Sequence, residues 1–188
     1  AFVYYNCPKG VANQIYIAAE EIYVNIASYA YPDRDGMAVI ITDFDGICTD
    51  NCVYIDSSGE MSRKVNFKDI MGFSLLKKNG YKIGIISGEK NSAIAKVAET
   101  FELEEVHQDI RLKIDVLKSI IDKYNLSQEE YVYIGDDVND YESLCFAKYR
   151  ITVPDAIKKI KELEGIQVTE TRGGDGAFRE VVDALLNA

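Results

Sequence analysis

Short, nearly continuous apolar segments alternate with amphipathic segments from residue 38 onward. The apolar segments are AVIIT, YKIGIIS, EEVH, YVYIGD and YRITV. Helical patterns lie between them, near Asp69–Asn79, Asn91–Phe101, Arg111–Tyr124 and Asp140–Phe146. Apolar runs that do not alternate are typical of strands covered on both faces, and strands that alternate with helices form parallel sheets. The pattern therefore predicts an α/β fold with a Rossmann-like, doubly wound parallel sheet.

Two segments depart from this alternation. NCVYIDSSGEMSRKVNF, residues 51–67, predicts two short strands joined by a turn, and we expect this β-hairpin to form a flap after the first strand. No large cap domain is expected. Near the start, VANQIYIAAEEIYVNIASYA predicts an amphipathic helix that YPDRDG ends. The expected domains are a helical extension over residues 1–36 and the α/β domain over residues 37–188.

Composition and charge exclude several classes of function. A net charge of −10 argues against nucleic acid as a partner, and an anionic substrate would need local positive charge at its site. No apolar run approaches the ~18 residues of a membrane span, and no signal-peptide pattern opens the chain. The four cysteines form no CxxC pair, so we expect reduced thiols and a cytoplasmic location. A single histidine, His107, argues against histidine-based hydrolases and zinc sites.

Polar side chains follow the predicted strands where each strand ends. Asp43 and Asp45 follow the first strand, Ser87 ends YKIGIIS, and GDDVND follows YVYI; Lys113 lies near a helix start. Because the carboxyl ends of parallel strands meet at one crevice, these groups are expected to converge. Asp43, Asp45 and Asp136 would repel one another without a cation between them. Oxygen ligands without histidine favour Mg²⁺, which commonly binds a phosphate oxygen of the substrate.

Each of these features has an ordinary structural explanation when it is taken alone, such as a turn, a solvated lysine or a capped loop. A calcium loop is the obvious alternative, but neither acidic stretch has glycine at position 6 and glutamate at position 12. The order DxDG, Ser-Gly, Lys and GDDxxD, with each motif after the appropriate element, indicates phosphoryl chemistry.

These motifs resemble the haloacid dehalogenase (HAD) superfamily. DFDGICTD, LLKKNGYKIGIISGEKNS, YIGDDVND, ITVPDA and RGGDGAFREV resemble in particular the branch that dephosphorylates 3-deoxy-2-ulosonate phosphates. That branch includes 3-deoxy-D-manno-octulosonate (KDO) 8-phosphate phosphatases, deaminoneuraminate (KDN) 9-phosphate phosphatases and the carboxy-terminal domain of some CMP-sialate synthetases. The resemblance implies a Mg²⁺-dependent phosphatase of sialic-acid-like sugar phosphates.

The resemblance also implies a role for each motif residue. Asp43 would be the nucleophile that forms an aspartyl phosphate, and Asp45 would protonate the leaving oxygen and later activate water. The carboxylates of Asp43 and Asp136 and the backbone carbonyl of Asp45 would hold Mg²⁺, while Ser87 and Lys113 would bind phosphate. Residues expected to support the metal and the lysine are Asp137, Asn139 and Asp140.

Members of this branch are typically homotetramers whose hairpins associate and whose carboxy-terminal segment closes a neighbour's site. TRGGDGAF would then cover the substrate, with Arg172 facing a sugar carboxylate; the alternative is a plain turn before the helix AFREVVDALL. The residues expected to contact substrate are Gly46, Gly88, Glu89, Lys90, Arg172, Gly173 and Gly174.

The substrate expected from the resemblance depends on two residues. KDO 8-phosphate phosphatases commonly read Ser/Thr-Gly-Arg, whereas Ser87-Gly88 is followed here by Glu89-Lys90, as in KDN 9-phosphate phosphatases. KDN or N-acylneuraminate 9-phosphate is therefore the expected substrate, with KDO 8-phosphate as the alternative. An inactive oligomerisation domain of a CMP-sialate synthetase is the alternative of another class. The presence of all the acids and of Lys113 favours an enzyme.

Overall fold

The computed structural model describes residues 39–187, so the predicted amino-terminal helix and the predicted domain boundary lie outside it. The strands are β1 Val39–Thr42, β2 Tyr54–Ile55, β3 Met61–Ser62, β4 Lys82–Ile86, β5 Glu105–His107, β6 Tyr131–Ile134, β7 Tyr149–Thr152 and β8 Gln167–Val168. The α-helices are α1 Phe67–Lys78, α2 Ser92–Phe101, α3 Lys113–Tyr124, α4 Tyr141–Phe146, α5 Lys158–Lys161 and α6 Ala177–Asn187, and a 3₁₀ turn spans Val138–Asp140.

Six strands form one parallel sheet in the order β5-β4-β1-β6-β7-β8. The central strand β1 ends in register with both neighbours, because Thr42 pairs with Ile85 of β4 and with Ile134 of β6. From β1 the chain winds first toward β5 and later toward β8, so the strand order reverses at β1. The predicted doubly wound parallel sheet is confirmed, and the reversal places its ligand crevice beyond the end of β1.

The core lies on both faces of this sheet. All four residues of β1 and all four of β6 are buried, which explains why these strands read as continuous apolar runs. Helices α1 and α6 pack together through stacked Phe73 and Phe178 rings, whose centroids lie 4.5 Å apart. Asparagines begin two of the helices: Asn66 accepts a hydrogen bond from Lys68 N–H, and Asn91 accepts one from Ile94 N–H.

The edge strand β5 is held to helix α3 by a buried carboxylate, Glu105. Its Oε1 accepts hydrogen bonds from Lys123 Nζ and, at 2.7 Å, from the Tyr124 hydroxyl, and its Oε2 lies 2.9 Å from His107 Nε2. Burial raises the pKa of Glu105, but the hydrogen bonds from Lys123, His107 and Tyr124 outweigh it and lower the pKa to about 2. The single histidine thus has a structural partner.

The predicted hairpin is present between β1 and α1. Strands β2 and β3 pair in antiparallel fashion, with Tyr54 opposite Ser62, and Asp56 closes the turn by accepting the N–H groups of Ser58 and Glu60. A backbone bridge between residues 49 and 65 ties the base of the hairpin to the loop after β1. Within residues 39–187, no helix has the length and apolarity needed to span a bilayer.

Two short elements were not anticipated from sequence. Helix α5 has four residues and strand β8 has two, lengths at which hydrophobic periodicity carries almost no signal. Strand β8 exists because it pairs with β7, through Ile151 with Gln167 and Thr152 with Val168.

Candidate active site

The loop that follows β1 turns sharply and lies against the loop that follows β6. Asp43 is 5% exposed, and Gly46 adopts φ +85°, a conformation that favours glycine. A Cβ atom at Gly46 would lie 2.1 Å from Asp136 Oδ2. Glycine is therefore required twice over, for the turn and for the close approach that brings the two acidic loops together.

A buried lysine connects two carboxylates in this region. Lys113 begins α3 and is 1% exposed; its Nζ lies 2.7 Å from Asp43 Oδ2 and 2.8 Å from Asp140 Oδ1. Asp140 Oδ1 also accepts the Tyr133 hydroxyl at 2.8 Å, and its Oδ2 accepts the backbone N–H groups of Asp136 and Asp137. Both oxygens of Asp140 are thus committed to the protein, so its role is to hold Lys113 and the loop after β6.

The electrostatics of this cluster favour a bound cation. Burial raises the pKa of Asp43 well above its ordinary value, Asp140 raises it further, and Lys113 opposes both. Burial and the charge of Asp140 raise the pKa of Asp136 to about 7. Burial lowers the pKa of Lys113, but Asp140 and Asp43 outweigh it, so the net shift is upward and the lysine remains cationic. One ammonium is insufficient compensation for three neighbouring buried acids.

The donor set fits a hard divalent metal. Carboxylate oxygens of Asp43, Asp136 and Asp140 lie within 4.8 Å of one another. Asp136 Oδ1 is buried with no hydrogen-bond partner among the described residues, and Asn51 Nδ2 donates to Asp136 Oδ2 at 3.4 Å. Because Asp140 is already engaged, the oxygens free to coordinate a metal belong to Asp43 and Asp136. Oxygen-only ligands of this kind suit Mg²⁺.

Asp45 lies in the same cleft but has different partners. Its Oδ1 lies 2.9 Å from Arg63 Nε and accepts the Thr49 hydroxyl at 3.2 Å, while its Oδ2 accepts Asn91 Nδ2 at 3.2 Å. The carboxylate is therefore fixed in orientation by three donors. Arg63 thus compensates the charge of Asp45, whereas Lys113 is shared between Asp43 and Asp140.

These groups line an open cleft of about 410 Å³ at the carboxyl ends of the strands. Its walls are formed by Asp43, Asp45, Asn51, Ser87, Gly88, Glu89, Ile110, Arg111, Asp136, Asp137 and Asn139. Ser87 is 1% exposed and its Oγ accepts the Glu89 N–H at 3.1 Å. A Cβ atom at Gly88 would lie 2.9 Å from Asn139 Nδ2, so glycine allows these two walls to meet.

The structure brings the predicted catalytic, metal and supporting residues into this one site, but it separates the predicted substrate contacts. Gly88 and Glu89 line the cleft, whereas Lys90 is exposed and does not line it. Gly46 is buried against Asp136 and does not line the cleft either, so its predicted contact with substrate has no support here. No ion pair joins Glu89 to Lys90 in the described part of the chain.

The predicted cover segment lies outside its own chain's cleft. Arg172 is exposed and lies 3.6 Å from Asp155 Oδ2. Gly173 and Gly174 pack on the backbone of the loop after β1, where a Cβ atom at Gly173 would lie 1.9 Å from Gly46 O. The glycines thus permit close approach to that loop of the same chain. Contact between Arg172 and a substrate stays a prediction that requires a second copy of the chain.

The sequence pattern did not indicate several polar residues at the site, among them Asn51, Arg63, Asn91 and Arg111. Arg111 could have been identified from the sequence, because it lies two residues before Lys113, at which the helix begins. Asn91 reads as a helix cap, which it also is. Arg63 had no local signal, because only the orientation of the hairpin places it beside Asp45.

Comparison with known proteins agrees with this architecture. A model of haloacid dehalogenase-like hydrolases matches residues 103–178. A crystal structure from Streptomyces avermitilis MA-4680, assigned to the HAD hydrolase family, is 31% identical with a TM-score of 0.74; the match covers 80% of this chain and 85% of that one. The chain belongs to the haloacid dehalogenase-like hydrolases.

Two further HAD relatives are phosphatases. The KDO 8-phosphate phosphatase of Escherichia coli K12 is 27% identical over 166 residues, 88% of each chain. The crystal structure of the Moraxella catarrhalis enzyme of that name, in complex with magnesium, phosphate and KDO, is 25% identical with a TM-score of 0.77 over 93% of this chain and 91% of that one. The predicted class, a phosphoric monoester hydrolase, is confirmed. The predicted Mg²⁺ cofactor agrees with the magnesium-bound relative and with the acidic cluster here.

Proposed function

We propose that this HAD phosphatase hydrolyses the phosphate ester of a 3-deoxy-2-ulosonate, with KDO 8-phosphate as its substrate. The observation that carries the proposal is the buried Asp43–Lys113 pair beside Asp136, whose Oδ1 has no partner among the described residues. The pair holds a nucleophile, and the acids offer ligands for a metal. The relatives from Escherichia coli and Moraxella catarrhalis favour the octulosonate over the nine-carbon sugar first expected from Glu89-Lys90.

In this proposal Asp43 attacks phosphorus as the ester P–O bond breaks, and an aspartyl phosphate forms. Its carboxylate is held for attack because Oδ1 accepts the Phe44 N–H at 2.7 Å and Oδ2 contacts Lys113. Asp45 gives a proton to the leaving sugar oxygen, and then takes one from the water that attacks phosphorus and frees Asp43. Mg²⁺ held by Asp43, Asp136 and the Asp45 carbonyl would offset the negative charge of the transferring group.

Positive charge at the cleft matches a substrate with two anionic groups, a phosphate ester and a carboxylate. Lys113 lies beside the phosphate position, and Ser87 has a hydroxyl proton to donate to a phosphate oxygen. Arg111 lines the cleft, and its guanidinium has no partner among residues 39–187. We assign Arg111 to the sugar carboxylate, because guanidinium and carboxylate form a two-point, charge-assisted contact.

The nine-carbon substrate remains the second candidate on one observation. Glu89, which distinguishes this chain from the Ser/Thr-Gly-Arg pattern, lines the cleft, and this supports a contact with the sugar. Lys90 does not line it, so half of the sequence signal for that substrate loses its support.

Assembly through the hairpin is part of the same proposal. Large apolar side chains are exposed on and beside the hairpin, with Phe67 88% exposed and Ile55 66% exposed. A patch of this kind marks an interaction site, and a second copy of the chain, in a homotetramer, would cover it. The predicted contact between a neighbour's Arg172 and the substrate depends on such an assembly.

The test is phosphate release with Mg²⁺ from KDO 8-phosphate, KDN 9-phosphate and N-acetylneuraminate 9-phosphate. Asp43→Asn and an EDTA-treated sample are the controls, and both should abolish release. We expect the highest kcat/KM for KDO 8-phosphate; preference for KDN 9-phosphate would assign specificity to Glu89. A folded tetramer that releases phosphate from none of them would indicate an inactive assembly domain.

A further inference from the structure

An ion pair joins Arg63 of the hairpin segment to Asp45 at the cleft. Arg63 Nε lies 2.9 Å from Asp45 Oδ1, and the two side chains are 11% and 17% exposed. A nearly buried arginine at this distance is not a surface pair of small consequence. Its partner is the residue that the proposed function makes the general acid and base.

Arg63 reaches this position through the hairpin. It directly follows β3, and the backbone bridge between Thr49 and Val65 anchors this segment on the loop that carries Asp45. Thr49 also donates its hydroxyl to Asp45 Oδ1, so the bridge and the ion pair fix the same carboxylate. Lys64, the next residue, turns to Asp50 and Asp175 at 3.6 and 3.5 Å and makes no contact with Asp45 in the described structure.

The three donors are distributed unequally between the two carboxylate oxygens of Asp45. Oδ1 accepts both Arg63 and Thr49, which occupies its two lone pairs. Among residues 39–187, only Asn91 donates to Oδ2, at 3.2 Å, and one lone pair is left. A proton on Asp45 therefore has its free position on Oδ2, and a rotation of the carboxylate that exchanged the two oxygens would break the contacts with Arg63 and Thr49.

From this geometry we infer that Arg63 is a positioning residue for proton transfer: it holds Oδ1 of Asp45 so that Oδ2 is the atom that donates to the leaving oxygen. The inference rests on the proposed function of Asp45. As the bond from Asp43 to phosphorus forms and the P–O bond to the sugar breaks, the proton moves from Asp45 Oδ2 to the sugar oxygen, which leaves as an alcohol. Arg63 itself touches no reacting atom.

The role can be tested because leaving groups differ in their need for a proton. A sugar phosphate releases a strongly basic alkoxide oxygen that must be protonated, whereas p-nitrophenyl phosphate releases a weakly basic phenolate that need not be. The experiment compares wild type with Arg63→Met and Arg63→Lys on KDO 8-phosphate, mannose 6-phosphate and p-nitrophenyl phosphate with Mg²⁺. The quantity measured is kcat/KM, which reports steps up to formation of the aspartyl phosphate.

For Arg63→Met we expect kcat/KM to fall about 10- to 100-fold on both alkyl phosphates and less than about threefold on the aryl phosphate. Arg63→Lys should recover part of the alkyl loss. The matched control, Lys64→Met, should leave the ratio of alkyl to aryl kcat/KM unchanged. Because that ratio is taken within one sample, it does not depend on the fraction of the variant that is folded.

Three results would overturn the inference, and each has a distinct meaning. An equal loss on all three substrates would make Arg63 merely structural. A loss confined to KDO 8-phosphate would show that Arg63 binds the sugar carboxylate, since mannose 6-phosphate has none. Absence of turnover by the wild type on every substrate would refute the proposed function and this inference with it.

Discussion

Removal of the buried lysine is the most informative perturbation of the site. Lys113→Met keeps the length of the side chain and leaves Asp43 and Asp140 facing one another without the ammonium that now lies 2.7 and 2.8 Å from them. Breaking a buried pair in this way costs about 3–5 kcal/mol, because an uncompensated charge remains in the interior. Here the lysine serves two carboxylates, so we expect the upper part of that range at pH 7 without metal.

The pH dependence of this loss has a definite sign. Lys113 opposes the effect of burial on Asp43, so without the lysine the folded-state pKa of Asp43 rises further above its unfolded value. An acid with a raised folded pKa destabilises the protein as pH rises from the unfolded toward the folded value, so the variant's deficit should be largest at pH 7 and should shrink on acidification. Urea unfolding at a series of pH values, in EDTA, measures the deficit directly.

The matched control is Lys118→Met, an exposed position on the same helix whose ammonium lies 5.4 Å from the centroid of the Phe146 ring. A surface change of this kind should alter the free energy of unfolding by no more than about 0.5 kcal/mol. If Lys113→Met were as stable as the control at pH 7, the account of the buried charge cluster would be refuted.

Three further predictions test other parts of the structure. Gly46→Ala should abolish Mg²⁺-dependent turnover, because the new Cβ would lie 2.1 Å from Asp136 Oδ2. The control is Gly59→Ala, which has nearly the same φ but no atom within 4 Å of the new Cβ; it should show backbone strain alone and retain activity. Arg111→Met should raise KM for KDO 8-phosphate about tenfold or more with little change for p-nitrophenyl phosphate, and an equal change for both would contradict its assignment to the carboxylate. Glu105→Gln should lower the melting temperature most above pH 4.5, and the difference from wild type should fade toward pH 2. The reason is that a carboxylate with a lowered pKa loses its stabilising charge as pH falls through its folded-state pKa. A pH-independent difference would contradict this.

The sheet could be predicted from the sequence because the features that indicate its strands are local. Continuous apolar runs identify strands covered on both faces, and the acids that follow β1 and β6 meet because parallel strands end at one edge. Asp43, Ser87, Lys113 and Asp136 converge for that reason. Nothing beyond the order of elements was needed.

The remaining features depend on contacts between distant segments. Arg63 reaches Asp45 only because the hairpin folds back on the loop after β1, and no periodicity in the sequence indicates that orientation. The two glycines of TRGGDG signal a close backbone approach, but the sequence does not say to what; in this chain they pack on the loop at Gly46. Substrate specificity is least predictable, since Glu89-Lys90 is a two-residue signal and only Glu89 lines the cleft.

In the proposed mechanism Asp43 carries the phosphoryl group during turnover. The most direct measurement is to quench the enzyme during steady-state hydrolysis of KDO 8-phosphate with Mg²⁺, reduce the trapped acyl phosphate with tritiated borohydride, and locate the label by peptide mapping. We expect label at Asp43, and none in Asp43→Asn or when Mg²⁺ is omitted. Turnover without label, or label on a different carboxylate, would contradict it.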